Sequence, residues 1–185
     1  MHDDPRRARD LTLLDVLDRF GRERFSGPVW RVTRGGRDPL LASPSNSRWC
    51  NGTFDVLYSS LERGGAIAEI YAMLALQPVF PSVPVWLVYK LDVTADKTLK
   101  IADLSTLGHL GVNVAGYTGR DYSRTQAIAD AAYFLGFDGL VAPSARWDCQ
   151  NAMLFPDRMA PDQIALAASA GEQIDWSQWR KDHRK

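Results

Sequence analysis

Apolar positions recur along this chain with two different periods, and the changes of period mark out its elements. Between residues 10 and 20, Leu11, Leu14, Val16, Leu17 and Phe20 fall close to a 3.6-residue repeat, which predicts an amphipathic helix closed by Gly21. "PVWRVT" at 28–33 is a short β-rich run, and the "RGGRDPLLASPSNSRW" after it is dense in Gly, Pro, Ser and Asn, the composition of a loop. Strand character returns in "FDVLYSS" at 54–60. The helical period then reappears in "LERGGAIAEIYAMLAL", where Leu61, Ile67, Ile70, Met73 and Leu74 form one stripe. Gly64 and Gly65 weaken the first turn of that helix by about 1 kcal/mol each relative to alanine, so their use there suggests a start lying close against another element.

Farther along, "VPVWLVYKLDV" and "KTLKIADL" read as two strands, and "DYSRTQAIADAAYFLGF" reads as a helix with Asp121 as N-cap and Gly136 as its stop. "DGLVAPSA" and "NAMLF" read as strands around the turn "RWDCQ". The tail, "QIALAASAGEQIDW", fits a helix by its alanines and strands by its isolated apolar pairs. Strands outnumber helices without regular alternation, which predicts an α+β fold. With 185 residues the chain suits one compact domain, here an N-terminal helical segment over 1–27 followed by a domain over 28–185.

Charge and composition remove several function classes. Lys+Arg and Asp+Glu both number 22, so the basic excess expected of a protein that wraps nucleic acid is lacking. No apolar signal segment follows the charged "MHDDPRRARD", and the most apolar run is too short for a membrane span and contains Glu69. A reducing cytoplasm is the expected location. Cys50 and Cys149 form no CxxC pair, and His2, His109 and His183 are too few and scattered for a histidine-rich metal centre, so no metal is expected. Phosphate-cradling GxxxxGK[ST] and GxGxxG loops, HExxH and GxSxG are also missing.

What remains is polar chemistry in apolar surroundings: Arg31 in "VWRVT", Arg48 beside Trp49, Tyr58 at a strand end, Glu69 in "AIAEIYAM" and Ser144 after "LVAP". Each has an ordinary explanation. Glu69 could be a rim residue paired with Arg63 or Lys90; Arg31 could face water; Arg48 could stack on Trp49; Ser144 could be a turn residue. As a set they suit one substrate. Arginine forks match diphosphate oxygens, tyrosine offers a flat face to a heteroaromatic ring, and one carboxylate can stabilise positive charge on a ribose carbon as cationic nicotinamide leaves. That describes cleavage of the nicotinamide–ribose bond of NAD. A non-catalytic binding module with a structural ion-pair network, or an enzyme using Cys50 or Cys149, are the competing readings.

"VWRV", "SRWCNGTFDVLYSSLERGGAIAEI", "FLGFDGLVAPSA" and "NAMLF", from about Val29 to Phe155, together resemble the RES domain of RES–Xre toxin–antitoxin modules, in the ParT-type branch. The family's usual GGRWN block reads Ser47-Arg48-Trp49-Cys50-Asn51 here, which departs at the glycine and after the tryptophan. The resemblance implies an ADP-ribosyltransferase-like split mixed β-sheet flanked by helices. Glu69 would then serve the nicotinamide ribose, Arg31 and Arg48 the diphosphate, and Tyr58 the nicotinamide. Ser144 would bond the ligand or orient Glu69 from the opposite side of the cleft, and Asn151 falls where the family often has asparagine. NAD would be a co-substrate, with ADP-ribose passed to a protein such as phosphoribosyl pyrophosphate synthetase, or to water or phosphate. An Xre- or ParS-like antitoxin would plug the cleft and leave the toxin without direct nucleic-acid contacts.

Overall fold

The computed structural model describes residues 8–183; residues 1–7 of the expected N-terminal segment, with His2, lie outside the described residues. Helix α1 (Leu11–Asp18) is capped by Asp10, whose carboxylate accepts from Leu13 N at 3.1 Å. Strand β1 (Glu23–Arg34) begins five residues before the apolar run that announced it, because the chain is already paired at Glu23 and Phe25, so 23–27 is strand and not helix. The segment read as a loop ends in the first strand of a small hairpin, β2 (Asn46–Ser47), which pairs with β3 (Cys50–Asn51) just after it. Next come β4 (Leu57–Ser60) and helix α2 (Arg63–Leu74).

The two strands expected after α2 are one, β5 (Trp86–Lys100). Thr94 and Ala95, at the supposed break, stay extended because they pair with Ser26 and Phe25 of β1. The short helix α3 (Leu104–His109), capped by Asp103, was not foreseen. Helix α4 (Ser123–Phe134) starts two residues after Asp121, with Tyr122 in the cap position. Asp121 folds back instead on Ser123, accepting from its N at 3.1 Å and its Oγ at 2.7 Å. Gly136 ends the helix as expected, at φ 80°, where only glycine is unstrained. β6 (Gly139–Pro143) and β7 (Gln150–Leu154) follow, and the ambiguous tail resolves into β8 (Ile164–Leu166), β9 (Glu172–Gln173) and helix α5 (Trp176–Asp182).

The main sheet has seven strands and is mixed: β5 and β6 are parallel and the other pairings antiparallel. β1 pairs with both β4 and β5, so the path β1–β4–β7–β6–β5 returns on itself. A core drawn from these strands fills the ring, with Val29, Leu57, Leu91, Val93, Val141 and Leu154 buried together. A second core lies under α1, α3 and α4, and a third joins α2 and α5 to β1 and β5.

The start of α2 is as tightly seated as its glycines suggest. A Cβ on Gly65 would stand 2.4 Å from Ser60 Oγ and 2.5 Å from Cys149 Sγ, and one on Gly64 would stand 2.8 Å from the Trp147 ring. Trp147, in the β6–β7 turn, also donates to Glu62 Oε2 at 3.2 Å and faces Trp179 of α5 at 5.6 Å between ring centroids. His183 stacks on Trp179 at 3.8 Å.

Candidate active site

Four of the singled-out residues meet at one place because α2 crosses the strands that carry the others. β4 and β7 are in register with Tyr58 opposite Met153 and Ser60 opposite Asn151, and Pro143 at the end of β6 stands opposite Gln150. Glu69, on the second turn of α2, reaches this group. Its Oε1 accepts from Ser144 Oγ at 2.7 Å and from Asn151 Nδ2 at 2.8 Å. The same Asn151 nitrogen donates to the Tyr58 hydroxyl at 3.2 Å. Both hydrogens of the amide are thereby used, and a carboxylate, which only accepts, fixes which end of Asn151 faces Glu69. Among the described residues Asn151 Oδ1 is buried with no hydrogen-bond partner.

Ser144 therefore stands on the same wall as Glu69, touching it, and not across the cleft. Its Oγ also accepts from Arg146 N at 3.1 Å, so the turn is bent around the hydroxyl. Among the described residues Oε2 of Glu69 takes no hydrogen bond, and neither expected ion pair forms: Arg63 bridges to Glu172, and the Lys90 ammonium lies 5.7 Å over Trp30. Burial, reinforced by the Glu69 carboxylate, pushes the Tyr58 phenol well up, so it remains protonated through neutral pH.

The two arginines assigned to the diphosphate are held by protein groups. Buried Arg31 donates from Nη1 to Tyr58 O and from Nη2 to Leu41 O, both at 3.0 Å, while its Nε has no partner among the described residues. Burial, with Arg37 nearby, draws its pKa down to about 10, which leaves it charged. Arg48 does not stack on Trp49, whose side chain is fully buried in the core under α4. It lies between Tyr117 and Tyr122, 4.7 and 4.8 Å from their centroids, and donates to Gly119 O at 3.0 Å.

The stretch from Tyr117 to Tyr122 is thus part of the site, which sequence reasoning missed. Tyr117 donates from its hydroxyl to Pro143 O at 2.6 Å, tying this stretch to the residue before Ser144. Its signal was "GYTGRDY", two aromatics around a basic residue in a Gly-rich loop. Arg120 and Tyr122 of this stretch, with Arg31, Arg48, Tyr58 and Glu69, line a cavity of about 540 Å³, inside the usual range for small-molecule sites. Among the described residues six arginines line it, Arg31, Arg34, Arg37, Arg48, Arg120 and Arg146, against a single carboxylate, Glu69. Among the described residues no group of three or more His, Cys, Asp or Glu is placed to hold a metal.

A cavity walled by arginines, with one carboxylate gripped by a serine and an asparagine, is set in a mixed sheet under a short helix. The chain belongs to the RES domain family, whose model matches residues 28–177. It is 36% identical over 151 residues to a protein of Mycobacterium tuberculosis named as a probable NAD(+) phosphorylase, spanning 78% of this chain and 72% of that one. It also shares its fold, at a TM-score of 0.81 and 20% identity, with a chain of the crystal structure of the M. tuberculosis MbcT–MbcA toxin–antitoxin complex; the match covers 94% of this chain and 98% of that one.

Proposed function

We propose that this chain is the toxin of a toxin–antitoxin pair, that it splits the nicotinamide–ribose bond of NAD, and that inorganic phosphate is the acceptor of the ADP-ribosyl group. The observation that carries the cleavage is Glu69. Ser144 and Asn151 fix one carboxylate oxygen and leave the other open in an arginine-lined cavity, which suits a site that steadies positive charge on a ribose carbon. Nicotinamide is already a cationic leaving group, so orientation and charge stabilisation are the main demands, and one carboxylate meets them.

Two considerations favour phosphate over water or a side chain. The diphosphate of NAD brings two negative charges and its pyridinium one positive, so six arginines against one carboxylate leave positive charge for a second anion. The relative named as an NAD(+) phosphorylase points the same way. Transfer to a protein, phosphoribosyl pyrophosphate synthetase included, is the competing acceptor, and an Xre-like antitoxin covering the cleft in the cytoplasm is the expected partner.

Mass spectrometry of products separates these. Purified protein free of antitoxin is incubated with NAD alone, with phosphate, and with lysate proteins. Nicotinamide together with phosphorylated ADP-ribose, formed only with phosphate, is the expected result. Free ADP-ribose at equal rate without phosphate, or ADP-ribosylated protein, would reassign the acceptor. No nicotinamide release at all, with no thermal stabilisation by millimolar NAD, would make the chain a non-catalytic module.

A further inference from the structure

The β6–β7 turn, residues 144–149, is held from several sides. Ser144 N donates to Cys149 O at 2.9 Å, Cys149 N to Trp147 O at 2.8 Å, and Arg146 N to Ser144 Oγ at 3.1 Å. Trp147 is pinned by Glu62, by the face of Gly64 and by Trp179. On a turn so constrained the Arg146 side chain is the exception. It lines the cavity, half-buried, and among the described residues its guanidinium makes no hydrogen bond, ion pair or ring contact.

The other cavity arginines differ. Arg31 and Arg48 are occupied by backbone carbonyls, Arg37 donates to Ser43 Oγ at 2.9 Å, and Arg34 and Arg120 are exposed to solvent. Only Arg146 combines partial burial with an unused fork. A partly desolvated guanidinium is a strong, geometrically defined binder of tetrahedral oxyanions. It also stands two residues from Ser144, which touches Glu69, so the turn that carries it meets the cavity beside that carboxylate.

We infer that Arg146 forms the subsite for the acceptor, inorganic phosphate, beside Glu69. This rests on the reading that phosphate is the acceptor. In the step it serves, the bond between the ribose anomeric carbon and nicotinamide breaks, and its electron pair goes to the ring nitrogen, neutralising the pyridinium. A lone pair on an oxygen of hydrogen phosphate forms the new carbon–oxygen bond. The proton carried by the phosphate is retained in the product ester or released to water as that ester ionises. Arg146 would hold the phosphate within reach of the carbon whose charge Glu69 steadies, and the fixed turn would keep that distance constant.

The test is the initial rate of nicotinamide release by the full chain as phosphate and NAD are varied separately, for the wild type, Arg146→Gln and Arg146→Lys. For Arg146→Gln the KM for phosphate should rise about tenfold or more while the KM for NAD stays within about twofold. Arg146→Lys, which keeps the charge and loses the fork, should lie between. Inorganic phosphate without NAD should raise the Tm of the wild type and not that of Arg146→Gln. An unchanged phosphate KM and an unchanged Tm response in folded Arg146→Gln would overturn the subsite. A rise in the NAD KM in step with that for phosphate would overturn it too, by placing Arg146 on NAD. A wild-type rate independent of phosphate, with no Tm response, would remove the acceptor reading and the subsite together, an outcome distinct from the first two.

Discussion

Ser144 donates its hydroxyl proton to Glu69 Oε1 at 2.7 Å, joining residues 75 positions apart in sequence. The bond locks a carboxylate on a helix to the end of a strand, so the orientation of Glu69 is set by the sheet and not by the helix alone. The consequences can be measured.

Glu69→Gln keeps an oxygen for Ser144 and Asn151 but removes the charge. NAD cleavage should fall about 10²–10³-fold, the usual loss on removing a preorganised electrostatic group. Stability should change by less than about 1 kcal/mol, since Glu69 is only half-buried and forms no ion pair among the described residues. Nicotinamide release and urea midpoints report the two effects. A drop in stability as large as the drop in rate would make Glu69 a structural residue.

Ser144→Ala and Asn151→Ala each leave one donor on Oε1, whereas the double variant frees it. Each single change should lower kcat about tenfold, and the pair should lose more than the product of the two, with a coupling on the order of 1 kcal/mol. Rates are compared after circular dichroism confirms the fold. Strictly multiplicative losses would mean that the two donors act independently.

Gly65→Ala would bring a methyl within 2.4 Å of Ser60 Oγ and 2.5 Å of Cys149 Sγ. It should destabilise the fold by about 1–3 kcal/mol as α2 is pushed off the strands, lowering activity through a shifted Glu69. Pairing it with Cys149→Ala should restore part of both. Wild-type stability for Gly65→Ala alone would contradict the close seating of α2.

Burial pushes the Tyr117 phenol up to about 12, although Arg48 beside it acts in the opposite sense. The unfolded phenol ionises near pH 10, so this group's contribution is fully present below pH 10 and is lost as pH rises toward 12. The loss is on the order of 2 kcal/mol. Denaturation midpoints between pH 9 and 12 should fall more steeply for the wild type than for Tyr117→Phe. Parallel curves would mean that the ring is reached by water.

The fold class was legible in the sequence because the apolar runs of α2, α4, β4, β6 and β7 are set off by turn residues, although the stripe read on α2 is not its buried face: Met73 is exposed, and Gly65, Ala66 and Ala68 are buried beside Ile67. Boundaries set by pairing were not. Glu23 to Gly27 and the joint at Thr94 and Ala95 are strand only because each segment supplies the other's partners, and that is invisible to local pattern. In the site, that Glu69, Tyr58, Ser144 and Asn151 belong together was legible through the family resemblance, but the contact of Ser144 with Glu69 was not, since Ser144 was expected across the cleft; the tight seat of Gly64 and Gly65 was legible. The cradle of Arg48 was not. Its neighbour Trp49 looked like the natural stacking partner, but the core takes that ring, and Tyr117 and Tyr122 come from a loop about seventy positions on.

The family match stops at residue 177, inside α5, and Trp179 and His183 lie beyond it. Those two rings face Trp147, whose turn carries both Ser144 and Arg146. A protein trimmed to the matched boundary would therefore keep every motif residue while losing the outer support of the turn that carries Ser144 and Arg146. A weak or inactive product from such a trimmed version would report on its last helix and not on its chemistry.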